Sequence, residues 1–131
     1  MGRTKKRLSP LEWEVMNTIW ELRKNPSVRE VLEKAYPSGE KAYTTVQTVM
    51  NNLEAKGFLE KDKIGLVNFY KPLRKRNELL KKETANFVDK TFGGSFQRLA
   101  SYLIDSGTLS AEEIADLKRI IREREKERKK R

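Results

Sequence analysis

The sequence contains no cysteine and no histidine. Without cysteine there is no disulfide, thiolate nucleophile or cysteine-based metal site. Without histidine the commonest general base and the commonest transition-metal ligand are missing. Catalysis would have to depend on carboxylates, and none of them are arranged as a recognisable acid–base pair. We therefore expect a protein that is not an enzyme and that needs no metal and no cofactor.

Long apolar runs are also absent from the sequence. It has no secretory signal and no segment that is apolar enough to span a bilayer, so we expect a cytoplasmic, soluble protein without membrane insertion. At 131 residues the chain has room for one domain, or for two very small domains that share a dimer interface.

Acidic residues are the scarcer charge, and the basic excess is unevenly distributed. Lysine and arginine total 29 against 19 acids, a net charge of +10. Residues 1–76 have 16 basic and 9 acidic side chains, or +7, and residues 122–131 have 7 and 3, or +4. Residues 77–121 are left at −1. A basic front half followed by a nearly neutral, apolar segment suggests a polyanion-binding domain joined to a segment with another role.

The front half has the pattern of a winged helix-turn-helix domain. We assign residues 1–7 to a basic arm and residues 8–75 to this DNA-binding domain. Three helices are predicted, and the third ends at Gly57, a residue suited to the left-handed position after a helix. Residues 58–63 and 67–72 follow as two short antiparallel strands with a glycine turn. Three helices and a two-stranded wing are the elements of this fold, so the predicted class is mainly α.

Local signals fix the starts of the helices and the expected direction of the wing side chains. Serine followed three residues later by glutamate forms three predicted capping boxes: Ser9 with Glu12, Ser27 with Glu30, and Ser110 with Glu113. In the wing we expect Phe58 and Phe69 to point inward and Lys61 and Lys63 to point outward.

The third helix has a polar face without charge. Behind an apolar side at Val46, Val49, Met50 and Leu53, the candidate DNA-binding residues are Thr44, Thr45, Gln47, Thr48, Asn51 and Asn52. Threonine and asparagine are mediocre helix formers, so helix stability does not explain them. Amides can pair with adenine edges, and hydroxyls and methyls can contact bases and phosphates, so we predict that this face enters the DNA major groove. A solvated polar face is the alternative interpretation.

Basic side chains flank this helix in the wing and in the arm. We predict phosphate contacts for Lys61, Lys63 and the basic arm, represented by Lys5 and Arg7, and the arm could also reach into a minor groove. A wing used only for folding and an arm that is merely solvated are the alternatives.

Residues 76–122 are predicted to form an all-helical dimerisation domain, with a basic tail at residues 123–131. Three short helices this apolar cannot bury their faces against one another in so few residues, and a second copy of the chain is the simplest remedy. The predicted interface residues are Phe87, Phe92, Phe96, Leu99, Leu103, Ile114, Leu117 and Ile121. A ligand pocket between these helices is the alternative.

Several motifs occur in a specific order along the chain. They are LSPLEWEVM at residues 8–16, Trp20, AYTTV at 42–46, LEAKGFL at 53–59, YKPL at 70–73, and Leu109, Ser110, Glu113 and Ile114. Together they resemble the penicillinase and methicillin-resistance repressor family, over nearly the whole chain. The resemblance implies a homodimeric winged-helix repressor on an inverted-repeat DNA operator. It also implies release by a membrane-bound zinc metalloprotease sensor, which in the namesake members detects β-lactam antibiotics.

The resemblance further implies a cleavage point in the C-terminal segment, at an Asn-Phe bond. Counting back from Ser110 places the equivalent bond near Ser101 and Tyr102, where that dipeptide is absent. The dipeptide does occur at residues 86–87, but it matches a non-scissile pair in the preceding helix.

Two departures from the family pattern affect specificity and sensing. Family members often have arginine where this chain has Gln47 or Asn52, and amides favour adenine where arginine favours guanine. We therefore expect an A/T-rich half-site under the middle of the helix. The copper-responsive branch binds metal through C-terminal cysteines, which this chain lacks, so copper sensing is excluded.

Two other functions are compatible with the same residues. One is a winged-helix regulator that senses a small molecule between its C-terminal helices. The other is an architectural nucleic-acid-binding protein without sequence preference, which would bind unrelated duplexes equally well at equal salt.

Overall fold

The computed structural model describes residues 7–130, with the elements of a winged helix followed by further helices. They are α1 (Pro10–Leu22), α2 (Val28–Ala35), α3 (Tyr43–Ala55), β1 (Leu59–Ile64), β2 (Val67–Pro72), α4 (Arg76–Phe92), α5 (Phe96–Asp105) and α6 (Ala111–Lys129). β1 and β2 pair antiparallel as a two-stranded wing. The predicted fold class is confirmed. In residues 7–130 no helix combines the length and the apolar character needed to cross a membrane.

All three predicted capping boxes are present at the starts of α1, α2 and α6. At α1, the backbone N–H of Glu12 donates to Ser9 Oγ at 3.2 Å, and the backbone N–H of Ser9 donates to Glu12 Oε1 at 2.8 Å. This reciprocal pair satisfies donors that the first helical turn leaves without a backbone acceptor. Each box therefore fixes where its helix begins.

The end of α3 connects the helix directly to the wing. The N–H of Gly57 donates to the carbonyl of Glu54 at 3.0 Å, and the N–H of Phe58 donates to the carbonyl of Leu53 at 2.9 Å. These two bonds form a Schellman motif, which needs a left-handed residue at Gly57, where φ is +87°. Leu53 and Phe58 are both fully buried, so the motif's usual apolar pair lies in the core.

The core of the winged helix is built from one side of each helix and from the base of the wing. Its buried members include Val15, Met16 and Ile19 of α1, Val28 and Val31 of α2, Val46, Val49, Met50 and Leu53 of α3, and Phe58, Leu59 and Tyr70. The four predicted apolar positions of α3 are all buried, which confirms the assignment of its two faces. The polar face of α3 is thereby turned away from the core.

The predicted direction of the wing side chains is wrong in two places. Tyr70, which is 1% exposed, is the inward-facing aromatic of β2, and Phe69 is only half-buried. Lys61 lies opposite Tyr70 in the strand register, so it shares the inner face and is half-buried. The cause is the turn after α3, which buries both Phe58 and Leu59 and so shifts the alternation by one residue.

The chain divides into two compact units between Leu80 and Lys81, within α4. In the second unit, the ring of Phe92 lies 6.3 Å from that of Phe87 and 5.9 Å from that of Tyr102, centroid to centroid. The first contact lies within α4, and the second joins α4 to α5. Among residues 81–130, Val88 is the single buried hydrophobic side chain.

Candidate nucleic-acid interface

The polar face of α3 forms a stripe of side chains along the surface of the winged helix. Thr44, Gln47, Thr48 and Asn52 are exposed, and Thr45 and Asn51 are half-buried. With a rise of about 1.5 Å per residue, the stripe from residue 44 to residue 52 is about 12 Å long. That length matches roughly three to four base pairs of a duplex, at about 3.4 Å each. Its amides and hydroxyls can donate and accept hydrogen bonds without adding charge.

The wing is fastened to α3 by two polar contacts. The hydroxyl of Tyr70 donates to Asn51 Oδ1 at 2.9 Å. Lys61 Nζ lies 3.6 Å from Glu54 Oε1 and 5.8 Å from the centre of the Tyr70 ring. These contacts hold the inner face of the wing against one side of α3. The two elements therefore present their side chains to a ligand in a fixed relation.

Burial controls the protonation of Tyr70. Desolvation in the core raises the pKa of its phenol above the ordinary value of 10.0, and the negative charge of Glu54 adds to the effect. The phenol is protonated at neutral pH even with its ordinary pKa, and the raised pKa extends the protonated form further into the alkaline range. It remains a hydrogen-bond donor to Asn51 under any physiological condition.

The predicted phosphate-binding residues differ in how freely they project. Lys63 is exposed, whereas Lys61 is held by Glu54 and by the Tyr70 ring. Arg7 is exposed, and its backbone carbonyl accepts a hydrogen bond from Lys56 Nζ at 3.3 Å. Lys5 lies outside the described residues. The geometry favours Lys63 over Lys61 as a phosphate contact.

Two residues near the start of α3 were missed by the sequence analysis. The guanidinium of Arg29 in α2 lies 5.1 Å from the centre of the Tyr43 ring, and Tyr43 is exposed. Both residues line an open groove with Gln47 and Tyr70. Arg29 occupies the second position of α2, where a cation is disfavoured by the helix dipole. Helix stability does not explain an arginine at this position, so Arg29 in the sequence indicates a different role.

The residues predicted to form the dimer interface are incompletely covered within one chain. Phe96 is 55% exposed and Leu117 is 42% exposed, and Phe87 and Ile121 are at least as open as Leu117. Phe92, Leu99, Leu103 and Ile114 are half-buried. The second unit therefore presents large apolar side chains to solvent.

The bond predicted for cleavage lies within α5. Ser101 and Tyr102 are both exposed, and both belong to the helix Phe96–Asp105. Proteases bind extended backbone, so this bond becomes a substrate only when α5 unwinds. Within residues 7–130 the acidic side chains form no group of three or more that could hold a metal ion.

Comparison with known proteins gives consistent matches across these elements. A family model described as penicillinase repressor matches residues 8–123. The methicillin resistance regulatory protein MecI of Staphylococcus aureus (strain N315) is 30% identical over 114 residues, which cover 87% of this chain and 92% of that protein. The penicillinase repressors of Staphylococcus aureus and Bacillus licheniformis are each 26% identical, over 92% and 93% of this chain and 95% and 94% of theirs.

The matched range includes the polar stripe of α3, the wing and nearly all of the second unit. The chain belongs to the penicillinase repressor family.

Proposed function

We propose that this chain is a transcriptional repressor that binds an inverted-repeat DNA operator as a homodimer and is released by proteolysis in its second unit. Its relatives are named for penicillinase and for methicillin resistance, so antibiotic-resistance genes are its proposed targets. In this proposal the bound dimer covers the promoter. Repression is therefore steric.

The polar stripe of α3 is the observation that carries the proposal. Thr44, Gln47, Thr48 and Asn52 are exposed on a helix whose opposite side is buried in a winged-helix core. A helix of this kind fits the major groove, where amides and hydroxyls recognise base edges. The exposed Lys63 supplies a contact for the adjacent phosphates.

The apolar surface of the second unit supports the homodimer. A monomer that leaves Phe96 and Leu117 exposed loses the free energy that burial of such side chains contributes, about 1.5–3 kcal/mol each when burial is complete. A two-fold dimer would place two copies of α3 in successive major grooves, about 34–36 Å apart. Binding of the second half-site then becomes nearly intramolecular, which raises operator affinity without new contacts.

Release by a membrane-bound zinc metalloprotease sensor completes the proposal. Helix α5 is short, and none of its ten residues, all of them described, is buried within one chain, so its unwinding around Ser101 and Tyr102 loses partly exposed contacts such as that of the Tyr102 ring with Phe92. Cleavage there would remove part of the dimer surface and lower operator occupancy. Mass spectrometry of the chain recovered from derepressed cells tests this step. Recovery of intact chain from derepressed cells would contradict it.

Selection of binders from a random duplex pool tests sequence-specific DNA binding. We expect an inverted repeat with half-site centres about one helical turn apart, and a preference over scrambled DNA of at least about 1,000-fold at equal salt. Gln47→Ala should reduce discrimination at one base position by about 1–3 kcal/mol. Asn77→Ala, an exposed amide change at the start of α4, is the matched control and should leave the consensus unchanged.

The rival functions give different results in the same experiments. An architectural protein would bind unrelated duplexes with equal affinity at equal salt. A small-molecule sensor would show a direct thermal shift with antibiotics or metabolites, because a ligand that binds the native state stabilises it. A proteolytically controlled repressor should show no such shift.

A further inference from the structure

The hydrogen bond between Tyr70 and Asn51 fixes the orientation of one amide on the polar stripe. An asparagine side chain has an accepting oxygen and a donating nitrogen, and a rotation of 180° exchanges them. The Tyr70 hydroxyl lies 2.9 Å from Asn51 Oδ1. The Tyr70 hydroxyl has one hydrogen, which it donates to this oxygen. The Asn51 amide is therefore held in the orientation that places its oxygen on the wing side.

The Tyr70 side of this contact is rigid. Tyr70 is 1% exposed, its backbone N–H donates to the carbonyl of Pro26 at 2.9 Å, and Lys61 lies over its ring. The ring thus cannot move away from Asn51 without disturbing the core. Rotation of the Asn51 amide would turn its nitrogen towards the Tyr70 oxygen, which can accept that hydrogen bond, but it would leave the hydrogen of a buried hydroxyl without the acceptor that Asn51 Oδ1 provides, which is costly.

We infer that Tyr70 is a positioning residue for DNA recognition, which holds Asn51 so that its amide nitrogen faces the base edges. This inference rests on the proposed function. In the major groove, guanine presents two acceptors, adenine and thymine present one acceptor each, and cytosine presents only a donor. Asn51 then favours guanine and disfavours cytosine at its base position, and it does not act as the adenine-pairing amide that a free asparagine would be.

The other two amides of the polar stripe can be compared with Asn51 on the same helix. Gln47 and Asn52 are exposed, whereas Asn51 is half-buried against the wing. An exposed amide can present either end to a base, including both ends to adenine. The half-site should therefore prefer adenine under Gln47 and Asn52 and guanine under Asn51, at a distinct position of the same consensus.

The test compares consensus sequences selected from a random duplex pool by the full-length wild type and by two variants. Tyr70→Phe removes the hydroxyl and keeps the ring that lies under Lys61. Asn51→Asp keeps an acceptor for Tyr70 and removes the donating nitrogen. The base position that changes in Asn51→Asp is the one contacted by residue 51.

At this position we expect wild type to prefer guanine over cytosine by about 5-fold or more. Tyr70→Phe should shift the preference towards adenine, because the amide can then rotate. Asn51→Asp should lose the preference for guanine. Tyr36→Phe is the matched control, since it removes a buried hydroxyl that donates to Glu14 Oε1 at 2.7 Å, between the end of α2 and α1, and it should keep the wild-type consensus.

The outcomes separate the inference from the function on which it rests. If wild type selects a site and either variant, at residue 51 or at residue 70, keeps every base preference, the inference is overturned and the proposed function stands. If Tyr36→Phe changes the same position, the effect is general destabilisation, which also overturns the inference. If wild type selects no sequence, the proposed function itself fails. Thermal unfolding of each variant confirms that the compared proteins are folded.

Discussion

The two units of this chain differ in how far their apolar side chains are buried. In residues 7–130, every buried hydrophobic side chain except Val88 lies in the first unit. The second unit instead exposes Phe87, Phe96, Leu117 and Ile121. The first unit has a core of its own, and the second has a surface that resembles one half of a core.

The two units differ in whether their contribution to stability depends on protein concentration. Stability from the buried core of the first unit is a property of one chain. Stability that arises when the second unit finds a partner depends on protein concentration by mass action. In the proposed homodimer, the second unit is the more sensitive point for control of DNA binding, because loss of its partner would remove the coupling between half-sites.

The largest expected effect comes from placing a charge on the exposed apolar surface of the second unit. Phe96→Lys should abolish dimerisation, because an ammonium would be desolvated in the interface. Operator affinity should then fall about 100-fold to 10,000-fold, the size of the lost coupling between half-sites. Sedimentation and fluorescence anisotropy measure the two effects.

Gln97, the residue after Phe96, offers a matched control for Phe96→Lys. Gln97→Lys adds the same charge at an exposed polar position of α5 and should keep both dimerisation and affinity. Trp13 and Trp20 both lie in α1, so their fluorescence shows whether the first unit stays folded. A Phe96→Lys protein that remained dimeric would place the interface elsewhere.

Local sequence signals predicted the parts of the fold that depend on near neighbours. The capping boxes and the turn at Gly57 are formed by residues at most a few positions apart. The apolar and polar faces of α3 could be assigned because their residues recur at helical spacing. The family resemblance, stated from ordered motifs, is also confirmed.

Contacts between distant residues could not be predicted in the same way. The choice between Phe69 and Tyr70 as the inward aromatic depends on how the chain turns after α3, and adjacent aromatics give no alternation to decide it. The Tyr70–Asn51 bond joins residues 19 positions apart, so no helical or strand spacing indicates it. The pairing of Lys61 with Glu54 follows from the same turn.

A second pair of substitutions measures the two kinds of stability directly. Met50→Ala in the buried side of α3 should lower the free energy of unfolding by about 2–5 kcal/mol, whatever the protein concentration. Leu117→Ala in the exposed surface should lower stability only at protein concentrations at which the wild type is dimeric, and its effect should disappear on dilution below the dissociation constant of the dimer. Urea unfolding, followed by tryptophan fluorescence and by sedimentation, separates them. If the effects of both substitutions depended on protein concentration in the same way, the two units would not differ in the source of their stability.

The smallest effect appears only at alkaline pH and concerns the first unit. Burial, and then the hydrogen bond to Glu14, raises the pKa of Tyr36 above its ordinary value of 10.0, and burial also raises that of Tyr70. The unfolded chain loses these phenolic protons at about pH 10 while the folded chain keeps them. Their stabilising contribution is thus fully present below pH 10 and is lost as the pH rises above it.

Each of these tyrosines should make stability fall by at most about 1.4 kcal/mol per pH unit above pH 10. Lysines also titrate in this range, so the measurement is the difference between wild type and Tyr36→Phe in urea midpoints from pH 9 to 11. Tyr36→Phe should be less stable at pH 9, because it lacks the hydrogen bond to Glu14, and should lose stability less steeply above pH 10. Parallel curves for the two proteins would mean that Tyr36 ionises as easily in the folded chain as in the unfolded one.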